Sequence, residues 1–313
     1  HLYYQPVRLH VPYWLELASV NYVNCYILLR VRFSLYCNVS YLNKILMSDQ
    51  SKKKPILQLL ISSKGKKNFN FLDKMFHKCD ANQFSILLVD QTKRKSNFKP
   101  SYKKHSFAYY NIPSNGLSNS RNFAINKSNA DICLLCDDDV IFEKNFANII
   151  IKSFQTYPNA DIITFRAKNN LNKPFKKYPN KTIHDYNTIS YINSFLISFR
   201  RDKIIEKKVF FDPLFGLGST FQTADEYIFL REALDKKLYL LASKKIILTH
   251  EEFSSGQNVV SNNVIFARSA VFSKYYGNIA YLKLIHHVYL LLINGKIKFH
   301  EIIVKFIAGV NGI

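Results

Sequence analysis

The sequence predicts an α/β protein with a mostly parallel sheet flanked by helices and a helical C-terminal tail. Two observations carry this reading. From Pro55 onward, short apolar runs alternate with segments of helical periodicity, the pattern of a parallel sheet covered on both faces. Several of those runs, such as ILQLLI (56–61) and ICLLC (132–136), carry almost no polar residue, as strands buried on both sides do not.

ILQLLI is the first expected strand. NFNFLDKMFHKC (68–79) places Phe71, Leu72, Met75 and Phe76 at helical spacing, so the first crossover is expected to be a helix. FSILLV (84–89) and FAYYNI (107–112) follow as strands. Gly116–Lys127 is expected to be a helix, DICLLC (131–136) a buried strand, Glu143–Thr156 a helix and DIITFR (161–166) a strand. The Lys/Asn/Pro-rich stretch 167–188 has the composition of an exposed loop. After ISYINSFLISF (189–199) come a Gly-containing loop, FDPLFGLGS (211–219), a helix around Asp225–Leu234 and a strand, YLLASKKIIL (239–248). Two apolar helical stretches interleaved with lysines and histidines fill Ile279–Ile307, a basic amphipathic pattern suited to an anionic membrane surface or to packing on the core. The expected division is an extension over 1–54, a catalytic unit over 55–256 and a helical tail over 257–313.

An apolar content of 48% excludes a disordered chain. The 44 Lys+Arg against 22 Asp+Glu give a formal charge of +22, which suits a polyanionic partner: nucleic acid, an anionic membrane surface or a phosphorylated substrate. Scattered runs such as KGKK (64–67) are also what a biased composition leaves. Five cysteines are too few and too scattered for a disulfide framework, which favours a reducing compartment. Cys133 and Cys136 form a CxxC, but residues i and i+3 of a strand face opposite sides, so a thiol or metal pair is not expected. Residues 1–46 carry neither the order of a signal peptide nor a convincing membrane span. The first methionine is Met47, directly before a polar stretch, and native translation is expected to begin there.

The chemistry-bearing signal is Asp137-Asp138-Asp139, directly after the buried strand. In open α/β sheets ligands collect beyond the carboxyl ends of strands, and three adjacent carboxylates call for a compensating cation. Oxygen ligands select a hard ion, Mn²⁺ or Mg²⁺, which shares its shell with substrate phosphates. Asp225-Glu226 opens a helix, where paired acids also favour the helix N-terminus. His250 follows the last strand and could ligate a metal or donate to a diphosphate. Gly216 and Gly218 suit close backbone approach to a substrate or a turn.

GLSNSRNFAI (116–125) followed by CDDDV (136–140) resembles the GxSxARN-to-DxD passage of family 2 glycosyltransferases with the Rossmann-like GT-A fold, with Ser120 where that pattern has Ala. ILQLLISSKGK (56–66), ILLVDQT (86–92), FGLGSTFQTADEYIFLREAL (215–234) and ILTHEEFSSG (247–256) are similar to further segments of the family, so the resemblance spans about Pro55 to Gly256. It implies Ser63 and Asp90 near the base and ribose, Arg121 supporting the nucleotide, and Asp137 and Asp138 in donor contact. It implies Asp139 and Asp137 as metal ligands together with His250; a register shifted by one puts Cys136 and Asp138 at the signature's ends. One of Glu226 and Asp225 would be the general base, the two acids standing in swapped order relative to the family. The implied activity is metal-dependent, inverting transfer from a nucleotide sugar to a glycan or lipid-linked acceptor. The resemblance lies with bacterial surface-polysaccharide enzymes, and the implied place is the cytoplasm, peripheral at the inner face of the plasma membrane. No nucleic-acid partner is expected. A nucleotidyltransferase and a non-catalytic basic module, binding membrane or nucleic acid, remain as alternatives.

Overall fold

The computed structural model describes residues 56–93, 102, 104, 106–250 and 259–313. All of the described residues belong to one compact unit, Pro55–Ile313. The extension and Met47 lie outside the described residues, as do Glu251 and Glu252.

The unit from Pro55 is built on an eight-stranded sheet. In chain order the strands are β1 (Leu57–Ser63), β2 (Ser85–Asp90), β3 (Ser106–Asn111), β4 (Ile132–Cys136), β5 (Ile141–Phe142), β6 (Ile162–Lys168), β7 (Ile197–Arg200) and β8 (Leu240–Thr249). Their spatial order is β3-β2-β1-β4-β7-β6-β8-β5. β3, β2, β1 and β4 are mutually parallel, as are β6 and β8, whereas β7 runs antiparallel between β4 and β6 and β5 runs antiparallel to β8. The sheet is therefore mostly parallel, as the alternation predicts.

Helices cover both faces, and strand alternation sorts the core into two layers. Leu57, Leu59 and Ile61 of β1 and Ile132, Leu134 and Cys136 of β4 pack with α1 (Asn70–Phe76) and α3 (Phe146–Thr156). Leu60, Cys133 and Leu135 point the other way, into α2 (Leu117–Lys127), α4 (Arg201–Glu206) and α5 (Asp225–Asp235). The two cysteines of the CxxC thus lie in opposite layers. Burying each such Leu, Ile or Phe contributes about 1.5–3 kcal/mol, so these layers hold the sheet that the site rests on.

The helix expected over 68–79 is shorter, Asn70–Phe76. ISYINSFLISF resolves into two single-turn 3₁₀ segments, at Ile189–Tyr191 and Ser194–Leu196, before β7. The stretch 167–188 is not wholly exposed: His184 is buried, its ring nitrogens 2.7 Å from Thr164 Oγ1 and 3.1 Å from Thr188 Oγ1. Burial lowers its pKa to about 4, so it is neutral and structural.

The tail forms α6 (Asn262–Tyr276), α7 (Ala280–Ile293) and α8 (Ile302–Val310). α6 starts at Ser261, whose Oγ accepts from Val264 N–H, and its Ala270 and Val271 pack on Phe215 and on Ile228 of α5. Arg231 of α5 stacks on Tyr275 at 3.8 Å from the ring centroid, a second tie between α6 and the helix that carries Asp225 and Glu226. Gly309 of α8 leaves room for Leu284 and Ser269, so α8 lies close against α7 and α6.

Candidate active site

A cleft of about 600 Å³ opens at the carboxyl ends of β1 and β4, where open α/β sheets bind ligands. Ser62, Ser63 and Lys64 line it from the end of β1, Asp137, Asp138 and Asp139 from the loop after β4, and His250 from the end of β8. Gly116, Leu117 and Arg121 come from the start of α2, Asn193, Ser194 and Phe195 from the turn before β7, and Asp225 and Glu226 from the start of α5.

The register of β5 on β8 accounts for one of these juxtapositions. Ile141 pairs with Thr249 in antiparallel sense, which carries the aspartate loop back beside the residue after β8. His250 Nε2 lies 3.6 Å from Asp139 Oδ1. The imidazole stacks on Phe195, 4.8 Å between centroids, and packs against Phe175, which fixes its plane.

Each of the three aspartates has a protein partner of its own. Asp137 Oδ1 accepts from Arg121 Nη2 at 2.9 Å. Asp138 Oδ2 accepts from Ser63 Oγ at 2.7 Å, and its other oxygen is 3.2 Å from Lys66 Nζ. Asp139 faces His250. Part of the compensation that three adjacent carboxylates require is therefore supplied by side chains. Burial pushes the Asp137 carboxyl up, with Arg121 opposing and Asp139 adding to the rise. The His250 imidazole beside it holds Asp139 below the usual carboxylate range.

Arg121 joins the two acidic groups. Its side chain is 2% exposed; Nη1 donates to Asp225 Oδ2, and Nη2 donates to Asp137 and, at 2.7 Å, to Ser194 Oγ. Burial alone would lower its pKa, but the carboxylates of Asp225 and Asp137 outweigh that and keep the guanidinium charged. A planar fork of donors suits a three-way bridge that a lysine could not make.

Asp225 and Glu226 open α5, where the helix N-terminus favours acids. The preceding Ala224 has φ 69°, a left-handed conformation that costs an alanine about 1–2 kcal/mol. Gly216, at φ 100°, lets the loop 211–219 pass the same carboxylate: a Cβ there would lie 3.0 Å from Asp225 Cγ. Glu226 is half-buried and held above the ordinary glutamate range, first by burial and then by the charge and hydrogen bond of Asp225.

The cleft thus gathers Ser63, Arg121, Asp137, Asp138, Asp139, Asp225, Glu226 and His250. Asp90 stands apart. It is 1% exposed, its carboxyl accepts from Thr92 N–H at 2.9 Å and Tyr109 Oη at 3.2 Å, and Gln91 takes the lining position. Sequence reasoning missed Lys66, although it lies in the turn after β1, and missed Ser194, Phe195 and Phe175, for which no short pattern signals a role. Among the described residues, no group of three or more His, Cys, Asp or Glu forms a ready-made metal cage.

The family model described as glycosyl transferase family 2 matches residues 67–221, which include Arg121 and the three aspartates. No curated protein matches the chain. Among solved structures, the chain is similar to residues 1–349 of TarS from S. aureus in complex with UDP-GlcNAc. The identity is 13%, the TM-score is 0.53, and the match covers 81% of this chain and 79% of that one. It is also similar to the mannosyltransferase PcManGT from Pyrobaculum calidifontis in complex with GDP-Man and Mn²⁺. There the identity is 13%, the TM-score is 0.51, and the match covers 83% of this chain and 74% of that one. At such identities the likeness is one of fold. The family match sets aside the nucleotidyltransferase and the non-catalytic module, and the likeness of fold agrees with it: the chain belongs to glycosyl transferase family 2 and is a glycosyltransferase of GT-A fold.

Proposed function

We propose that the enzyme moves a sugar from a nucleoside-diphosphate sugar to a hydroxyl of a glycan or lipid-linked acceptor, with inversion at the anomeric carbon. The observation that carries this reading is the Arg121 bridge, which ties the aspartate loop to the start of α5 so that both line one cleft. TarS and PcManGT, of similar fold, were solved with UDP-GlcNAc and GDP-Man, which supports a nucleotide-sugar donor here. The catalytic unit is residues 55–256, with the helices of 257–313 in peripheral contact with the inner face of the plasma membrane.

Each side chain has a task in this reading. Ser63 meets the donor's nucleoside, and Asp90, from behind the wall, orders the turn after β2 that receives it. Lys66 and Asp138 shape the turn beside the diphosphate. Asp225, held by Arg121, is a positioning residue. That leaves Glu226 as the base that takes the acceptor hydroxyl's proton while the acceptor oxygen bonds to the anomeric carbon and the sugar–phosphate bond breaks.

A divalent cation fits the other wall. Asp139 is 60% exposed and presents a carboxylate beside the His250 ring, two ligands of the kind Mn²⁺ accepts when substrate phosphates complete its shell. Asp139 and His250 would hold the ion, with Asp137 adjoining. When bound, it would offset the charge that develops on the departing nucleoside diphosphate.

The product's stereochemistry tests the reading. Transfer from an α-linked donor is expected to release nucleoside diphosphate and leave a β-linked product, read by the anomeric proton coupling in NMR. An α-linked product would overturn direct displacement, and release of diphosphate would overturn glycosyl transfer.

A further inference from the structure

Eleven of the 21 exposed large hydrophobic residues among those described fall within residues 279–307. They are not scattered singly. On α7, Tyr281, Ile285, Tyr289 and Ile293 recur every fourth residue and Leu282 lies beside them, all between 44% and 66% exposed. The opposite face of the same helix, Leu284, Val288 and Leu291, is buried against Ile265 of α6. α7 therefore has two apolar faces, and the folded unit covers only one. The turn that follows exposes Phe299 at 81%, and α8 exposes Ile303 and Ile307. Contiguous exposed apolar surface on this scale marks an interaction site.

The charge around it selects the occupant. Of the six basic residues in 259–313, Lys274 is paired with Asp212 and Arg268 is half-buried beside His287, which leaves Lys283, Lys296, Lys298 and Lys305 against one acid, Glu301. Two copies joined through this face would bring like charges together. A surface of anionic lipid headgroups complements it, with apolar side chains entering the acyl boundary and lysines at the phosphates. Tyr281 and Tyr289 have the ring with a polar tip that suits such an interface. α7 spans 14 residues, about 21 Å, against an apolar bilayer core of about 30 Å. No described helix is long and apolar enough to cross a membrane. These helices have the proportions to lie in the interface.

We propose that the outer face of α7, with Phe299 and the exposed side of α8, docks the enzyme on a membrane rich in anionic lipid. This rests on the reading of the C-terminal helices as the membrane-facing part and deepens it by naming the lipid class and the inserting residues. It does not depend on the transfer chemistry. Because α6 packs on α5, docking would set the orientation of the catalytic cleft relative to the bilayer.

Vesicle co-sedimentation of the full chain tests the proposal. Vesicles of phosphatidylcholine with about a third phosphatidylglycerol should bind at least about tenfold more protein than phosphatidylcholine alone, and high salt should release part of it. Ile285→Glu/Tyr289→Glu should lose that binding at unchanged Tm, since both residues are exposed, while hydrolysis of the donor stays as in the wild type. Lys296→Glu/Lys298→Glu should lose the preference for anionic vesicles. Equal binding to both vesicle types, or none, would overturn the proposal. So would a dimer in light scattering that Ile285→Glu/Tyr289→Glu dissolves, which would make a second copy the occupant.

Discussion

Glu226→Gln is expected to lower kcat by about 10²–10⁴-fold while leaving donor KM within a small factor of the wild type. Glutamine keeps the shape and the position at the start of α5 but cannot accept the acceptor's proton. The pH profile gives the same claim a sign. A base must be deprotonated to work, and burial together with Asp225 raises the Glu226 pKa above its ordinary 4.5. The active form is therefore lost as pH falls through that raised value, so the acidic limb of kcat/KM lies above pH 4.5. Asp225→Asn removes the neighbouring negative charge and should move that limb to lower pH, and Glu226→Gln should abolish it. A Glu226→Gln enzyme with wild-type kcat would assign the base elsewhere, to Asp225 first.

Arg121→Met is expected to cost about 3–5 kcal/mol of stability, read by urea denaturation. The guanidinium is buried, and its removal leaves Asp225, whose side chain is 6% exposed, without its cation and Asp137 without its hydrogen-bond donor. The double variant Arg121→Met/Asp225→Asn should recover part of that loss, because one of the stranded charges is gone. Arg121→Lys should recover less than a like charge suggests, since one ammonium cannot reproduce donors to Asp225, Asp137 and Ser194 together. If Arg121→Met unfolds at wild-type urea concentrations, the bridge is not what holds the two walls together.

The parts of this architecture that were legible in the sequence are those where one physical cause dominates. β1, β2 and β4 are buried on both faces and so are nearly continuous apolar runs, found to within a residue or two. β5 has two residues, too short for any periodicity. β7 hides in an apolar stretch that first makes two 3₁₀ turns, and its antiparallel sense depends on partners far along the chain. α6 was covered only by the general expectation of a helical tail, because it has apolar residues all round and packs on two neighbours.

The same division holds in the cleft. The aspartates could be placed because they end a buried strand, and Arg121 was found through its resemblance to a known passage. What the sequence could not supply was partnership. That Asp137 meets Arg121, Asp138 meets Ser63 and Lys66, and Asp139 meets His250 follows from strand register and helix placement. For the same reason, reasoning from local charge assigned to a metal the whole compensation that these side chains partly provide.

The proposed function requires that this cleft hold a nucleoside diphosphate against a cation at Asp139 and His250. Titration calorimetry of UDP and GDP with and without Mn²⁺, on the wild type and on Asp139→Asn, tests it directly. One nucleotide should bind the wild type at least about tenfold tighter with Mn²⁺, and Asp139→Asn should lose that gain while retaining its fold. Equal affinity with and without Mn²⁺ in both proteins would mean that no cation joins the nucleotide to Asp139 and His250.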